Sequence, residues 1–113
     1  MRHNPFHALP EIPMGIGGTR KLLAYEEGEN AYTVTLMNAK PDTVLPLHSH
    51  PHKQMVYVLS GKGNFRCGDE IQTLISGDVV QISADVPHTF DSFAESTVWM
   101  EFFTPCREDF KPE

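Results

Sequence analysis

The amino-acid sequence predicts an all-β domain, a sandwich or barrel of short antiparallel strands. Short runs rich in β-branched, aromatic or alternating apolar residues recur at intervals of about 8–12 residues, which is typical of such folds. After residue 20 no window shows the 3.6-residue periodicity of an amphipathic helix. The chain has 113 residues, 40% of them hydrophobic, which suffices for one core and leaves no room for two domains.

Turn residues divide the central part of the chain into seven predicted strands. The first is rich in β-branched and aromatic residues. The dipeptide Gly68 and Asp69 is a two-residue hairpin signal between the third and fourth strands. In chain order the predicted strands are Ala31–Asn38, Gln54–Leu59, Asn64–Cys67, Glu70–Leu74, Asp78–Ile82, Thr89–Phe93 and Ser96–Phe103.

The two ends of the chain lack this strand pattern. Residues 1–19 are interrupted by prolines and contain three glycines near their end, which predicts an N-terminal arm and a turn. Residues 20–106 form the predicted barrel, and residues 107–113 form a C-terminal tail. Within the tail, Arg107–Phe110 is the only segment expected to make a short helical turn.

Charge and composition exclude several classes of function. Nine Lys and Arg residues stand against fifteen Asp and Glu residues, and a net charge of −6 argues against binding to nucleic acids or anionic membranes. No apolar run is long enough to span a bilayer, and the N-terminal stretch lacks the apolar segment of a secretory signal. Cys67 and Cys106 form no CxxC pair, so we expect reduced thiols in a cytoplasmic protein.

Histidines are concentrated in one short segment. Three of the six lie in His48–His52. His48 and His50 are two positions apart, so on an extended strand both imidazoles project from the same face, and Gln54 has the same parity. His88 follows a proline at the start of a later predicted strand. Because imidazole is the commonest protein ligand of transition metals, the pattern predicts a site of three histidines with the Gln54 amide oxygen as fourth ligand.

One alternative to this metal site stays open, and one neighbouring histidine is left out of it. An HxH pair by itself also occurs in surface loops that bind no metal. His52 is not expected to be a ligand, because Pro51 bends the strand and turns that imidazole away from the site.

The spacing of these residues resembles the two motifs of the cupin superfamily. The segment His48–Gln54, followed six residues later by Gly61, resembles the first motif, and Gly77–His88 resembles the second. The resemblance covers about residues 30–104 and implies a conical antiparallel β-barrel of the RmlC-like jelly-roll type. It also implies a metal inside the barrel, with His48, His50, Gln54 and His88 as ligands.

Gln54 is the departure from the cupin motifs that bears on chemistry, since Glu is usual there. Asp42, Ser83, Asp85 and Ser92 also depart from the motifs, but Asp and Ser suit turns. A glutamine makes the ligand set neutral, so a divalent ion keeps its full charge and polarises a bound oxygen more strongly. The set does not choose among Mn, Fe, Co, Ni, Cu and Zn.

The last predicted strand places one carboxylate within an apolar run. Trp99, Glu101 and Phe103 share a face by alternation. If that face points into the barrel, desolvation raises the pKa of Glu101 and makes it a usable acid or base, and Trp99 and Phe103 line the substrate site. Alternatively, Glu101 lies on the solvent face of an edge strand or has a structural partner.

Two further side chains are candidates beside the metal. Arg107 could clamp a substrate carboxylate with its bidentate guanidinium, or it could pair on the surface with Glu108 or Asp109. Tyr57 could donate a hydrogen bond to a substrate oxygen, or simply pack in the barrel.

The C-terminal segment adds a narrower resemblance. From Glu101 to Phe110 it is similar to the end of small cupins of pectin and alginate breakdown, which open an unsaturated uronate to a linear keto-sugar acid. The site residues of that subgroup match Glu101, Phe103 and Arg107, with Glu where Asp is usual. The resemblance implies a metal-dependent isomerase that opens the ring of a small acidic sugar.

Two other functions stay open from the sequence: an Fe- or Cu-dependent dioxygenase, and a non-catalytic module that binds a small ligand. In all three cases the expected partner is a small molecule. For an enzyme, we expect the substrate to carry a carboxylate. We also expect a homodimer in which the N-terminal arm adds a strand across a two-fold axis, because exposed sheet edges are protected by pairing.

Overall fold

A computed structural model describes residues 1–112, and its regular elements are nine β-strands and two single 3-10 turns. The turns are Phe6–Ala8 and Glu108–Phe110. The strands are β1 (Ile12–Met14), β2 (Gly18–Glu26), β3 (Tyr32–Ala39), β4 (Lys53–Ser60), β5 (Lys62–Cys67), β6 (Glu70–Ile75), β7 (Val79–Ile82), β8 (His88–Phe93) and β9 (Thr97–Thr104).

The strands form two antiparallel sheets that face each other. The larger sheet has the order β1-β2-β3-β9-β4-β7, and the smaller has the order β6-β5-β8. The pairs Ile16–Val44 and His48–His88 add isolated bridges outside the named strands. Among residues 1–112 the outer strands of both sheets keep one unpaired edge, so this jelly roll is an open barrel. The predicted all-β antiparallel fold is confirmed.

The core lies between the two sheets and is rich in aromatic rings. Phe90 of β8 lies 4.6 Å, centroid to centroid, from Trp99 of β9, and Phe93 stacks on Trp99 at 5.5 Å. Along β9, Trp99 and Phe103 are buried, while Met100 and Phe102 face outward and are half-buried. This alternation turns one face of the central strand towards the interior, as the sequence predicts.

All seven predicted strands are present, and each boundary differs by at most two residues. The hairpin at Gly68 and Asp69 is confirmed, with Cys67 and Glu70 paired across it. The 3-10 turn Glu108–Phe110 lies within the predicted helical turn. None of the described residues forms a helix of the length and apolarity that crossing a membrane requires.

Two strands near the N-terminus were not expected. β1 lies within the segment 1–19 that the sequence assigns to an arm, and β1 pairs with β2 of its own chain. In β2 the register shifts between Leu22 and Ala24. Such a bulge breaks the two-residue period, so the strand carries no continuous alternation that could reveal it in the sequence.

Candidate metal centre and cavity

Backbone hydrogen bonds bring the two histidine segments together. His88 donates its N–H to the His48 carbonyl at 2.9 Å, and the His48 N–H donates to the His88 carbonyl at 3.3 Å. The Asp85 N–H donates to the His50 carbonyl at 2.8 Å. These bonds fix the loop before β4 against the start of β8, so residues 40 positions apart in the chain become neighbours.

Three imidazoles converge at this junction. The ring nitrogens of His48, His50 and His88 that could bind an ion all lie within 4.8 Å of one another. The ring centroids are 4.5 Å apart for His48 and His88 and 4.9 Å apart for His50 and His88. His50 and His88 are buried, whereas His48 is exposed. The cluster is therefore reached by solvent from the His48 side.

Backbone carbonyls set the tautomers of two of these rings. His48 Nδ1 lies 3.1 Å from the Pro46 carbonyl oxygen, and His88 Nδ1 lies 2.8 Å from that of Val86. A carbonyl only accepts, so Nδ1 carries the proton in both rings and the lone pair of Nε2 is free. His88 Nε2 is buried and has no hydrogen-bond partner among residues 1–112. A metal ion would satisfy that nitrogen.

Gln54 completes the donor set from the inner face of β4. Its Oε1 lies 2.8 Å from His50 Nε2, and the Gln54 side chain is buried. The two atoms are as close as neighbouring donors of one ion, and without an ion His50 Nε2–H donates to the amide oxygen. The three imidazoles could hold a divalent transition metal, and Gln54 Oε1 lies beside one of them as a further neutral donor.

Burial keeps the histidines in the form that binds metal. Desolvation lowers the pKa of His50 to about 4, and it also lowers the pKa of His88. Both rings are consequently neutral at pH 7, which is the state required of a ligand.

A cavity of about 270 Å³ opens beside the three-histidine cluster. His48 and His88 form part of one wall. Trp99, Glu101, Arg107 and Arg20 contribute the other functional groups, and the remaining surface is mostly apolar. The volume is just below the usual range for pockets that bind drug-sized ligands, about 300–1,000 Å³, and is suited to a monosaccharide-sized molecule.

Glu101 points into this cavity from β9. β9 lies between β3 and β4 in the larger sheet, so Glu101 is not on an edge strand. Its Oε2 accepts a hydrogen bond of 2.7 Å from Trp99 Nε1, which gives the carboxyl a structural partner. Burial raises the pKa of Glu101, while the Trp99 hydrogen bond and nearby positive charge oppose the rise.

Arg107 lines the cavity, but its guanidinium is already engaged. Nε and Nη2 donate to the two carboxylate oxygens of Asp109 at 2.9 and 2.7 Å. The side chain of Arg107 is only 11% exposed, so this is not a surface ion pair of the expected kind. Its Cζ also lies over the rings of Phe103 and Phe110, at 4.9 and 4.3 Å from their centroids.

Trp99 and Phe103 differ in their relation to the cavity. Trp99 lines it and is 1% exposed. Phe103 is also buried, but its ring packs against the His50 imidazole at 5.5 Å between centroids and does not line the cavity. Phe103 therefore supports a ligand ring from behind.

Tyr57 and His52 lie apart from the cluster. Tyr57 is exposed on the outer face of β4, opposite to Gln54 and Val56, so its ring does not reach the cavity. His52 is not a member of the three-histidine group, and its Nε2 lies 3.1 Å from the Cys106 carbonyl oxygen.

Arg20 is a cavity residue that the sequence analysis missed. It lies on β2, whose bulge hides the strand pattern, and it pairs in register with Met37 of β3. Met37 is buried and pairs in turn with Trp99, so the three side chains share the inner face of the sheet. The sequence could have placed Arg20 in the cavity only if β2 had been recognised as a strand.

Comparison with known proteins identifies the fold. The family model described as "Cupin domain" matches residues 35–103. Among curated protein sequences, none is similar enough to this chain to count as a relative. An RmlC-like cupin from Shewanella frigidimarina has a similar structure, with a TM-score of 0.86, 21% identity and coverage of 98% of this chain and 96% of that one.

Two further solved structures share the architecture. KdgF from Halomonas sp. superposes with a TM-score of 0.82 at 20% identity, over 94% of each chain. A variant of oxalate decarboxylase from Bacillus subtilis superposes with a TM-score of 0.74 at 20% identity, over 87% of this chain and 28% of that one. At these identities the likeness establishes the fold alone.

Proposed function

The chain belongs to the cupin domain family, and from that premise we propose that it is a metal-dependent isomerase that opens the ring of a small acidic sugar, such as an unsaturated uronate. The metal ligands in this proposal are His48, His50, Gln54 and His88. The comparison with KdgF supports the resemblance of this chain to small cupins of the unsaturated-uronate subgroup.

One observation carries the proposal for an enzyme rather than a binding module. A carboxyl whose pKa burial raises, Glu101, lies in the same cavity as the three imidazoles. Proton transfer needs a group whose pKa is closer to neutral than that of an exposed carboxyl, and Glu101 combines such a shift with a place in the cavity.

The bound metal would supply Lewis-acid polarisation of a substrate oxygen, and the neutral ligand set leaves its charge undiminished. The remaining work falls to residues of the chain. Trp99 and the apolar wall exclude water, and the Trp99 indole N–H holds the Glu101 carboxyl in place. The cationic side chains of Arg20 and Arg107 give the cavity a positive wall that suits a carboxylate.

Ring opening of such a sugar is a net isomerisation that needs only proton transfer. The hemiacetal hydroxyl loses a proton, the ring C–O bond breaks to leave an aldehyde and an enolate, and the enolate then gains the proton on carbon to give the ketone. In the proposal Glu101 accepts and returns this proton. No oxidant or second substrate is required.

Loss of ultraviolet absorbance tests the reaction directly. Metal-loaded protein is mixed with unsaturated galacturonate, and the conjugated enol-ether band is followed with Mn, Fe, Ni or Zn in the site. We expect faster loss than in buffer with metal alone. If, with each of the four metals, the protein and the buffer with metal alone gave the same rate, the isomerase proposal would be overturned.

Oxygen uptake separates the dioxygenase alternative. Three imidazoles and an amide leave coordination positions open on an iron centre, as dioxygenases require. We expect no oxygen consumption during turnover of the uronate under Fe(II). Stoichiometric consumption would instead favour the dioxygenase.

A further inference from the structure

Two arginines face the cavity, but only one of them is paired with a carboxylate of the protein. Arg107 donates through Nε and Nη2 to Asp109, so this pair of donors is already bound to a carboxylate. Hydrogen bonding to Arg107 lowers the pKa of Asp109, which keeps that carboxylate charged and the pair intact. A substrate carboxylate at Arg107 would therefore meet a guanidinium whose charge Asp109 already balances and whose Nε–Nη2 edge is occupied.

Arg20 lies in the same wall without such a partner. Among residues 1–112 its side chain makes neither a hydrogen bond nor a salt bridge, although it is partly buried and lines the cavity. Its Cζ lies 4.0 Å from the centroid of the Phe110 ring, which fixes the guanidinium without using its N–H groups. Burial lowers the pKa of Arg20, yet a guanidinium stays protonated at any physiological pH.

We propose that Arg20, rather than Arg107, binds the carboxylate of the sugar acid. A guanidinium held by stacking and free at its N–H edge offers a planar fork that matches the two oxygens of a carboxylate. Arg107 and Asp109 instead brace Phe110, against which Arg20 stacks. This inference rests on the proposed function for its substrate, but it concerns binding alone.

Glu101 and Arg20 therefore have separate tasks in the cavity. Glu101 is hydrogen-bonded to Trp99 and lies near the positive charges of Arg107 and Arg20. Arg20 then selects uronic acids over neutral sugars, while Glu101 handles the proton.

Binding of a matched pair of unreactive sugars tests the inference. Galacturonate and galactose differ by a carboxylate in place of a hydroxymethyl group, and neither has the unsaturated bond that ring opening to the ketone requires. NMR titration of the metal-loaded protein gives Kd for each. We expect galacturonate to bind about tenfold more tightly than galactose, from charged hydrogen bonds to one guanidinium.

Variants of Arg20 then show whether this side chain causes the preference for galacturonate. Arg20→Gln should remove it, and Arg20→Lys should retain part of it, because the charge stays and the fork is lost. Arg66→Gln is the matched control, since Arg66 pairs with Asp91 outside the cavity. Amide chemical-shift dispersion in the same spectra shows that each variant is folded.

The outcomes separate this inference from the proposed function. The inference is overturned if wild-type protein has no preference for galacturonate, if Arg20→Gln keeps the preference, or if only Arg107→Gln removes it. If Arg20 confers the preference but unsaturated galacturonate is not turned over, the carboxylate site stands and the isomerase fails. If turnover occurs with an unchanged KM in Arg20→Gln, the isomerase stands and the role of Arg20 fails.

Discussion

At the scale of single residues, Glu101 distinguishes an enzyme from a binding module. Its carboxyl accepts a hydrogen bond from the Trp99 indole and faces the cavity, so it is positioned beside a bound ligand. An amide has nearly the same shape and can accept the same hydrogen bond, but it cannot carry the proton.

We therefore expect Glu101→Gln to bind galacturonate within about twofold of wild type and to lose at least about 100-fold in kcat on unsaturated galacturonate, as for loss of a general acid–base group. Glu101→Asp should keep part of the activity, because a carboxyl is still present on a side chain that is one methylene shorter. Stopped-flow absorbance gives kcat, and NMR titration gives Kd. Equal kcat for Glu101→Gln and wild type would argue for a non-catalytic module.

The buried imidazole of His50 makes the metal-free protein sensitive to acid. Burial lowers the folded-state pKa of His50 to about 4 from an ordinary value of 6.5. Between these values the unfolded chain binds the proton more readily than the folded one, so stability falls as pH drops from about 6.5 to about 4. Above this window the contribution of His50 to stability is fully present.

Chelator-treated protein should accordingly show a falling Tm over this pH window. His50→Gln should flatten the slope, and His7→Gln, in the exposed N-terminal arm, is the control expected to keep it. The difference between wild type and His50→Gln isolates this group from the carboxyls, whose protonation also changes at acid pH. Parallel curves for wild type and His50→Gln would contradict the assigned burial.

At the scale of elements, turns between strands decide whether the site can form. Gly61 joins β4 to β5 with φ +98°, and a Cβ there would lie 2.5 Å from the Ser96 carbonyl oxygen and from Thr97. Gly77 has a similar φ of +93° before β7, but a Cβ there would meet nothing within 4 Å. The two glycines separate backbone strain from steric clash.

We expect Gly77→Ala to lower the free energy of unfolding by about 1–2 kcal/mol through backbone strain alone. Gly61→Ala should lower it by about 1–3 kcal/mol more, because β9 must move away from the turn. Urea unfolding of both variants measures the difference. Equal losses would show that β9 yields without cost at this point.

At the scale of the whole molecule, the outer face of the larger sheet is apolar. Cross-strand neighbours Leu36, Met100 and Tyr57 form one row on β3, β9 and β4, and Phe102 and Met55 extend it. Their side chains are half-buried or exposed. A groove of about 530 Å³ lies on the same side of the sheet, against Met55 and Phe102. Lys53 lines this groove and Lys21 is the cross-strand neighbour of Leu36, so basic residues lie at the border of the face. Its centre is apolar and can pack against a second copy across a two-fold axis.

We therefore expect a homodimer joined through this face. The dimer through the N-terminal arm that the sequence predicts stays a second prediction, because among the described residues β1 pairs with β2 on one edge and leaves its other edge open. Light scattering after size exclusion should give twice the chain mass of 12.7 kDa. Tyr57→Glu should shift the protein to monomer, while Ile71→Glu, an exposed apolar position on β6, should not. A monomeric wild type would refute the dimer.

Local pattern predicted much of this molecule because strands have a short period. β-Branched and aromatic runs between turns located β3 to β9, and the spacing of His48, His50, Gln54 and His88 predicted residues that the structure brings together. The same period places Tyr57, three positions after Gln54, on the opposite face of the strand. Its assignment to the cavity was an error that the sequence could have prevented.

What the sequence determined by itself was the strands β3 to β9 and the chemical types of the candidate ligands, since both depend on neighbours along the chain. Tertiary structure alone decided that β2 contributes Arg20, because a bulge erases its pattern. It also decided that Arg107 is held by Asp109 and that Glu101 lines the same cavity as His48 and His88. These contacts depend on which side chains become neighbours in the folded protein, and local spacing in the sequence does not specify them.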